Sequence, residues 1–298
     1  MKAIETKNLT KKYGTSRGIT DLSLSVEAGE FYGFIGPNGA GKSTTIRTLL
    51  GYIKASSGTA KILDLDIEND IDKIHEKTGY LPSEITFYKG MKVKDIIKYS
   101  ASLRNLKDTS EAKRLCDQLS LDTEKKVDEL SLGNRKKVGI ICAVQHHPDL
   151  LILDEPTSGL DPLMQREFFN ILKEEHKRGS TIFFSSHILT EVQEHCRMAA
   201  FIKDGKILVA DEVENLKKTG AKKISVAGSL NTDILKEITH LSTSDDGKTT
   251  FLYNGEIKSL LYNLSNQEIT DINISEPSLE EIFMHYYDTK GGESDANL

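Results

Sequence analysis

The sequence predicts an α/β fold: a core built on a parallel sheet, interrupted by a helical subdomain and followed by a small α+β domain. Three patterns in the 298 residues predict it. The segment Gly36-Pro37-Asn38-Gly39-Ala40-Gly41-Lys42-Ser43-Thr44 fits G-x-x-x-x-G-K-[ST]. It lies between an apolar run over 31–35 and a helical pattern over 43–50 that stops at Gly51. The runs 150–153 and 181–185 are apolar without alternation, as strands buried on both faces are. From residue 209 onward, short strand and helix patterns alternate in a stretch with its own charge balance.

Taken in order, residues 1–30 alternate short apolar runs with turns: Ile4, Leu9, then Lys12-Tyr13-Gly14. Leu22-Ser23-Leu24-Ser25-Val26 follows with period-two spacing, which predicts strands at a sheet edge. Ser56-Ser57-Gly58 marks a turn before a strand over 59–63, and Gly79-Tyr80-Leu81-Pro82-Ser83 breaks the next helical stretch. From Lys92 the texture changes. Val93, Ile96, Ile97 and Ala101, then Leu115, Leu119 and Leu121, follow helical spacing with few strand formers, which predicts an inserted helical subdomain over about 87–145. It ends in Leu130-Ser131-Leu132-Gly133-Asn134-Arg135-Lys136-Lys137, ahead of a helix through Ile140, Ile141 and Val144. Ser131 and Gly133 there read either as a second anion site or as a capped helix with a basic first turn.

The strand over 150–153 delivers Asp154 and Glu155, and the strand over 181–185 delivers Ser186 and His187. Both sets sit at C-terminal strand ends, where α/β sheets place their ligands. Carboxylates buried beside a strand are costly unless a cation or a reaction needs them. Between the two strands, Ser158-Gly159-Leu160-Asp161-Pro162 is a turn, and the next helix carries Phe168, Phe169, Ile171 and Leu172. Asp204-Gly205-Lys206-Ile207-Leu208 closes the first domain, 1–208; a linker over 209–222 holds a short helix, 213–218. In 223–298 the expected order is strand (223–227), helix (234–238), a hairpin turned at Asp245-Asp246-Gly247 into 249–253, helix (257–264) and strand (269–274). That is the ferredoxin-like order.

The glycine-rich segment carries the chemistry. In a P-loop of this pattern, successive backbone N–H groups cradle nucleotide phosphates, and the following helix points its N-terminus at the anion. Residues 36–44 form that cradle; Lys42 places its ammonium against the β/γ-phosphates, and the Ser43 hydroxyl ligates Mg²⁺. Asp154 suits Mg²⁺, directly or through water, and Glu155 suits a general base for water. Tyr13, an aromatic on a turn ahead of the loop, reads either as a platform for a nucleotide base or as ordinary packing.

Composition excludes several classes. Hydrophobic content is 38%, charged content 28% and formal net charge −6, as in a soluble globular protein. Residues 1–208 carry 31 Lys+Arg against 29 Asp+Glu, and 209–298 carry 8 against 16, so no broad basic surface is present and nucleic acid is not an expected partner. Cys116, Cys142 and Cys196 have no C-x-x-C spacing, which fits a reducing compartment. No N-terminal apolar leader and no run near the ~20 residues of a membrane span is visible, so a membrane role would pass through a partner.

Together these motifs resemble the ATP-binding cassette ATPases, the nucleotide-binding subunits of membrane transporters, over residues 1 to about 208. The matching features run in order from Tyr13 through the P-loop, Leu130–Asn134, Asp154-Glu155 and Ser158–Asp161 to His187. Glu276-Pro277-Ser278-Leu279-Glu280-Glu281-Ile282-Phe283 resembles the tail of the subfamily that drives separately encoded exporter-type permeases. The resemblance implies a P-loop NTPase core with ATP and Mg²⁺ as cofactors, the metal held by Ser43 and Asp154. It implies Glu155, His187 and Lys42 as catalytic residues, with Ser131 and Gly133 reaching the γ-phosphate across a homodimer or heterodimer. A transmembrane permease docked near the helical subdomain would place the chain at the cytoplasmic face of the membrane. Two departures stand out: Leu132 and Asn134 replace residues of the usual L-S-G-G-Q, and Ser83-Glu84 stands where a glutamine usually follows the sheet strand. The resemblance therefore carries no Mg²⁺ ligand over to that loop. Two other classes compete. One is a soluble cassette ATPase acting on ribosomes or DNA, which usually has two cassettes or a long coiled-coil insertion. The other is a non-hydrolysing regulator, which Glu155 and His187 oppose.

Overall fold

In a computed structural model, the described residues are 1–14, 16–217, 222–231, 238–244, 247–278 and 281–283. The N-terminal alternation folds into one long hairpin, β1 (Lys2–Tyr13) with β2 (Ser16–Glu27), in place of the short runs and turns expected. Its register shifts four times, and Asn8 and Asp21 have φ of 49° and 50°. Such bulges absorb the residues that interrupt the period of two. The next strands in the chain are β3 (Phe31–Ile35), β4 (Ser57–Ile62) and β5 (Leu65–Asp66). Of these, β4 and β5 extend the hairpin into an antiparallel sheet ordered β2-β1-β4-β5, with β2 at its edge.

A second sheet holds β3, β6 (Thr78–Leu81), β7 (Leu150–Asp154), β8 (Thr181–Ser186), β9 (Met198–Lys203) and β10 (Lys206–Glu212), in the order β10-β9-β3-β8-β7-β6. The pairs β9/β3, β3/β8, β8/β7 and β7/β6 are all parallel. Every residue of β3, β7 and β8 is buried, which explains their unbroken apolar runs. Phe34 and Phe183 pack with ring centroids 5.4 Å apart between neighbouring strands. Parallel register puts Ile35 beside Ser186 and Asp154 beside Ser185, so the loops after β3, β7 and β8 emerge together at the C-terminal end of the sheet. Helices α1 (Lys42–Leu49), α2 (Ile71–Lys77), α6 (Pro162–Lys177) and α7 (Leu189–His195) connect these strands.

The helical insertion comprises α3 (Val93–Ser102), α4 (Ser110–Gln118) and α5 (Leu132–Val144), with a 3-10 turn at Val127–Glu129. The residues that set its helical period are the buried ones: Val93, Ile96, Ile97 and Ala101 on α3, and Ala112, Leu115 and Cys116 on α4. All three cysteines are free thiols.

The chain divides into two compact units, Met1–Ala210 and Asp211–Leu298. The second contains α8 (Val213–Lys217), β11 (Lys222–Ser229), β12 (Ile238–Thr243), β13 (Lys248–Tyr253), α9 (Ile257–Ser265) and β14 (Glu268–Ser275). Its sheet runs β12-β13-β11-β14 with each pair antiparallel, and Ile224, Val226, Phe251, Tyr253, Leu260 and Leu264 form its core. The helix expected over 234–238 falls largely outside the described residues, as do Asp245 and Asp246; Ile238 begins β12 instead.

His146, just after α5, supplies a pH handle on this fold. Burial, reinforced by the Arg104 guanidinium, pushes its imidazole down to about 4. Between pH 6.5 and 4 the unfolded chain takes up a proton that the folded chain refuses, so this contribution is complete above 6.5 and is lost as pH falls through about 4. The stability advantage of wild type over His146→Gln should shrink by up to about 3 kcal/mol from pH 7 to pH 4. Urea unfolding at several pH values measures it; a constant advantage would show that the folded state accepts the proton.

Candidate active site

The loop after β3 is shaped by glycine and ends on a helix without a side-chain cap. Gly39 and Gly41 have φ of 81° and 110°, and a Cβ on Gly41 would lie 3.0 Å from Ile19 Cγ2. Gly41 is the N-cap of α1, where no side chain accepts a hydrogen bond from the first turn, so those N–H groups and the helix dipole favour an external anion. The loop is pinned at its middle: Ala40 N–H donates to Pro37 O (3.1 Å), and Gly205 N–H donates to Ala40 O (2.9 Å). Asn38 is exposed, and Ser43 and Thr44 are half-buried. Lys42 is only 4% exposed; its Nζ donates to Gly36 O (2.6 Å) and Pro37 O (3.1 Å) and lies 3.1 Å from Glu155 Oε1.

The acids sit at the end of β7, next to β8. Asp154 is fully buried; its Oδ1 accepts from Ser185 Oγ (2.8 Å), and its Oδ2 is buried without a protein partner. An unpaired carboxylate oxygen at such a place favours a cation. Glu155 turns the corner with φ 46°, its N–H donating to Ser185 Oγ (3.1 Å) and its C=O accepting from Lys136 Nζ (3.2 Å). Its carboxylate lies between Lys42 and His187, whose Nδ1 is 3.5 Å from Oε2. The His187 ring is 46% exposed, open to a ligand. Behind it, Ser186 Oγ donates to Glu191 Oε2 (2.8 Å) and accepts from Ile188 N–H (2.9 Å), which fixes the turn into α7.

The fold thus brings together the P-loop, Asp154, Glu155 and His187. The other predicted residues make contacts of their own. Tyr13, 40% exposed near the hairpin end, has Lys11 Nζ 5.3 Å from its ring centroid. Ser131 caps α5 by accepting from Asn134 N–H (3.3 Å), and a Cβ on Gly133 would lie 3.7 Å from Gly159 O. Leu132, 57% exposed, covers Gly159, where a Cβ would sit 2.8 Å from its Cδ2. Among the described residues, no hydrogen bond joins Ser131 or Gly133 to the P-loop.

Sequence reasoning missed three supports: Ser185, Glu191 and Lys136. The last was read as part of a basic first turn, yet it is 2% exposed, and burial pushes its amine down to about 8 against the pull of Asp154 and Glu155. Its spacing carried a signal: Lys136 precedes Ile140 by four residues and Val144 by eight, on the buried stripe of α5. Burial likewise raises the Glu191 carboxyl, opposed by its bonds to Thr157 and Ser186.

Residues 19–158 match the family described as ABC transporter. The bacitracin transport ATP-binding protein BcrA of Bacillus licheniformis is 36% identical over 225 residues, 74% of this chain and 72% of that one. A protein of the same name from Enterococcus faecalis is 32% identical over 293 residues, 94% of each chain. A solved structure described as the ATP binding subunit of an ABC transporter superposes with a TM-score of 0.68 at 26% identity, over 72% of this chain and 92% of that one.

Ser185 is the hinge pin of the acidic corner, because one hydroxyl serves both Asp154 and Glu155. Ser185→Ala leaves a part-buried N–H and a buried carboxylate oxygen short of partners, an expected loss of about 2–4 kcal/mol in urea unfolding. A loss under about 0.5 kcal/mol would show that water replaces the hydroxyl there.

Proposed function

The chain belongs to the ATP-binding subunits of ABC transporters, and from that premise we propose that it hydrolyses ATP in a dimer that drives a separately encoded permease. The observation that carries this reading is the convergence of Lys42, Glu155 and His187, with contacts of 3.1 and 3.5 Å, at the ends of three adjacent parallel strands. The loop amides of 36–44 and the uncapped first turn of α1 bind the phosphates. Lys42, already desolvated, exchanges carbonyl and Glu155 contacts for β/γ-phosphate oxygens. Glu155, released from Lys42, takes the proton of the attacking water, and His187 steadies that water and the γ-phosphate.

The buried, unpaired Oδ2 of Asp154 fits a divalent cation, which Asp154 and Ser43 would hold. When bound, Mg²⁺ neutralises charge on the phosphates. Ser131 and Gly133, which make no hydrogen bond to their own P-loop among the described residues, serve the γ-phosphate bound by a partner subunit. The half-exposed Tyr13 ring receives the adenine. The permease docks near the helical insertion at the cytoplasmic membrane face; among the described residues, no helix is long and apolar enough to cross a membrane. The second unit is a ferredoxin-like accessory domain, a reading supported by its strand order and α9.

Two substitutions test the chemistry. Lys42→Ala should remain folded by circular dichroism yet lose at least about tenfold in ATP affinity, since hydrogen bonds to charged groups contribute about 1.5–3 kcal/mol. Parental affinity and rate would remove this lysine from the mechanism. Glu155→Gln keeps shape but lacks the base, so turnover should fall by about 10²–10⁴ while ATP still binds. The variant should then accumulate as an ATP-bound dimer in light scattering after gel filtration. A monomer at saturating ATP would contradict self-association, and parental hydrolysis would exclude Glu155 as the base.

A further inference from the structure

A cation inside a protein is usually met by a carboxylate. Lys136 is instead met by three backbone carbonyls: Pro82 (3.4 Å), Ser83 (3.2 Å) and Glu155 (3.2 Å). All three donors of its ammonium are thereby used. The acceptors come from distant parts of the chain. Pro82 and Ser83 follow β6, where the backbone leaves the sheet toward α3; Glu155 is the corner after β7. Lys136 itself lies in the second turn of α5, the helix that Ser131 caps.

Glu155 needs this help. Its φ of 46° lies in the left-handed region, which is disfavoured for a residue with a Cβ and persists only when surroundings impose it. Side chains grip both of its backbone polar groups. Ser185 takes the N–H from the sheet side, and Lys136 takes the C=O from the helical side, beside the Ser158 N–H of the following turn, which donates to the same oxygen (3.3 Å). With both flanking peptides held, the Cα–Cβ bond of Glu155 is fixed, and from it the carboxylate reaches Lys42 and His187. We propose that Lys136 is a positioning residue for hydrolysis. By binding the Glu155 carbonyl together with those of Pro82 and Ser83, it aims the Glu155 carboxylate and makes that aim depend on where α5 stands against the sheet. The proposal rests on the reading of Glu155 as the base. It also gives the 82–83 segment a role that needs no side chain there, since the contact runs through its carbonyls.

The test is steady-state ATP hydrolysis by the full chain carrying Lys136→Met, which keeps length and removes charge and donors, beside Lys136→Arg and Lys136→Gln. In Lys136→Met, kcat should fall on the order of 10–100-fold, the usual consequence of a misplaced reacting group. The KM for ATP should stay within about twofold, and Lys136→Arg should recover part of kcat. In a Glu155→Gln background, Lys136→Met should change the residual rate by less than about twofold, because no base remains to be aimed. A parental kcat in Lys136→Met overturns the proposal, as does a KM that rises as far as kcat falls, or a full loss that persists beside Glu155→Gln. If Lys136→Met does not fold, Lys136→Gln is judged by the same criteria. Parental hydrolysis by Glu155→Gln removes the base and this proposal with it; inactive Glu155→Gln beside fully active Lys136→Met removes Lys136 alone.

Discussion

Keeping charge buried at the C-terminal ends of the central parallel strands is the constraint on which the rest of this structure depends. Lys42 is 4% exposed and Asp154 is fully buried, side by side with strands that carry almost nothing but apolar residues. Taking such groups out of water is unfavourable by several kcal/mol unless other dipoles replace the hydration. The P-loop supplies those dipoles for Lys42 by turning the carbonyls of Gly36 and Pro37 onto Nζ. Only a backbone able to enter positive φ at Gly39 and Gly41 makes that turn and then starts α1 at once.

The acids obey the same constraint with different means. Asp154 is served by one hydroxyl, Ser185, and keeps one oxygen free, so its burial is only half compensated by protein. Glu155 is less buried, and its carboxylate bridges a fixed cation and a ring that is open to solvent. A site built this way leaves Asp154 Oδ2 unpaired and the Glu155 and His187 side chains partly exposed, so its own atoms satisfy its polar groups only in part.

The surrounding layer holds backbone more than side chains. Ser185 and Lys136 grip Glu155 at N–H and C=O, Ser186 is tied to Glu191, and Gly205 ties the P-loop to the turn after β9. These links join the sheet, α5 and α7 around one corner. Leu132 and Gly133, at the start of α5, lie beside Gly159, with Leu132 57% exposed and Gly133 half-buried.

By itself, the sequence determined the elements whose causes are local. Unbroken apolar runs became the buried parallel strands, helical spacing became α3 to α5, and the glycine spacing with Lys42 became the loop ahead of α1. It also placed Asp154, Glu155 and His187 at strand ends, because a strand's exit is readable from where its apolar run stops. The N-terminal hairpin was legible only in part. Its bulges at Asn8 and Asp21 break the alternation, and pairing across β1 and β2, which no local pattern encodes, restores continuity. Tertiary structure alone decided the roles of Ser185, Glu191 and Lys136, ordinary residues in their own segments. Lys136 read as surface because lysines at a helix start are usually solvated; it is buried because carbonyls from two distant loops meet its ammonium, and only the folded chain brings three such segments to one point.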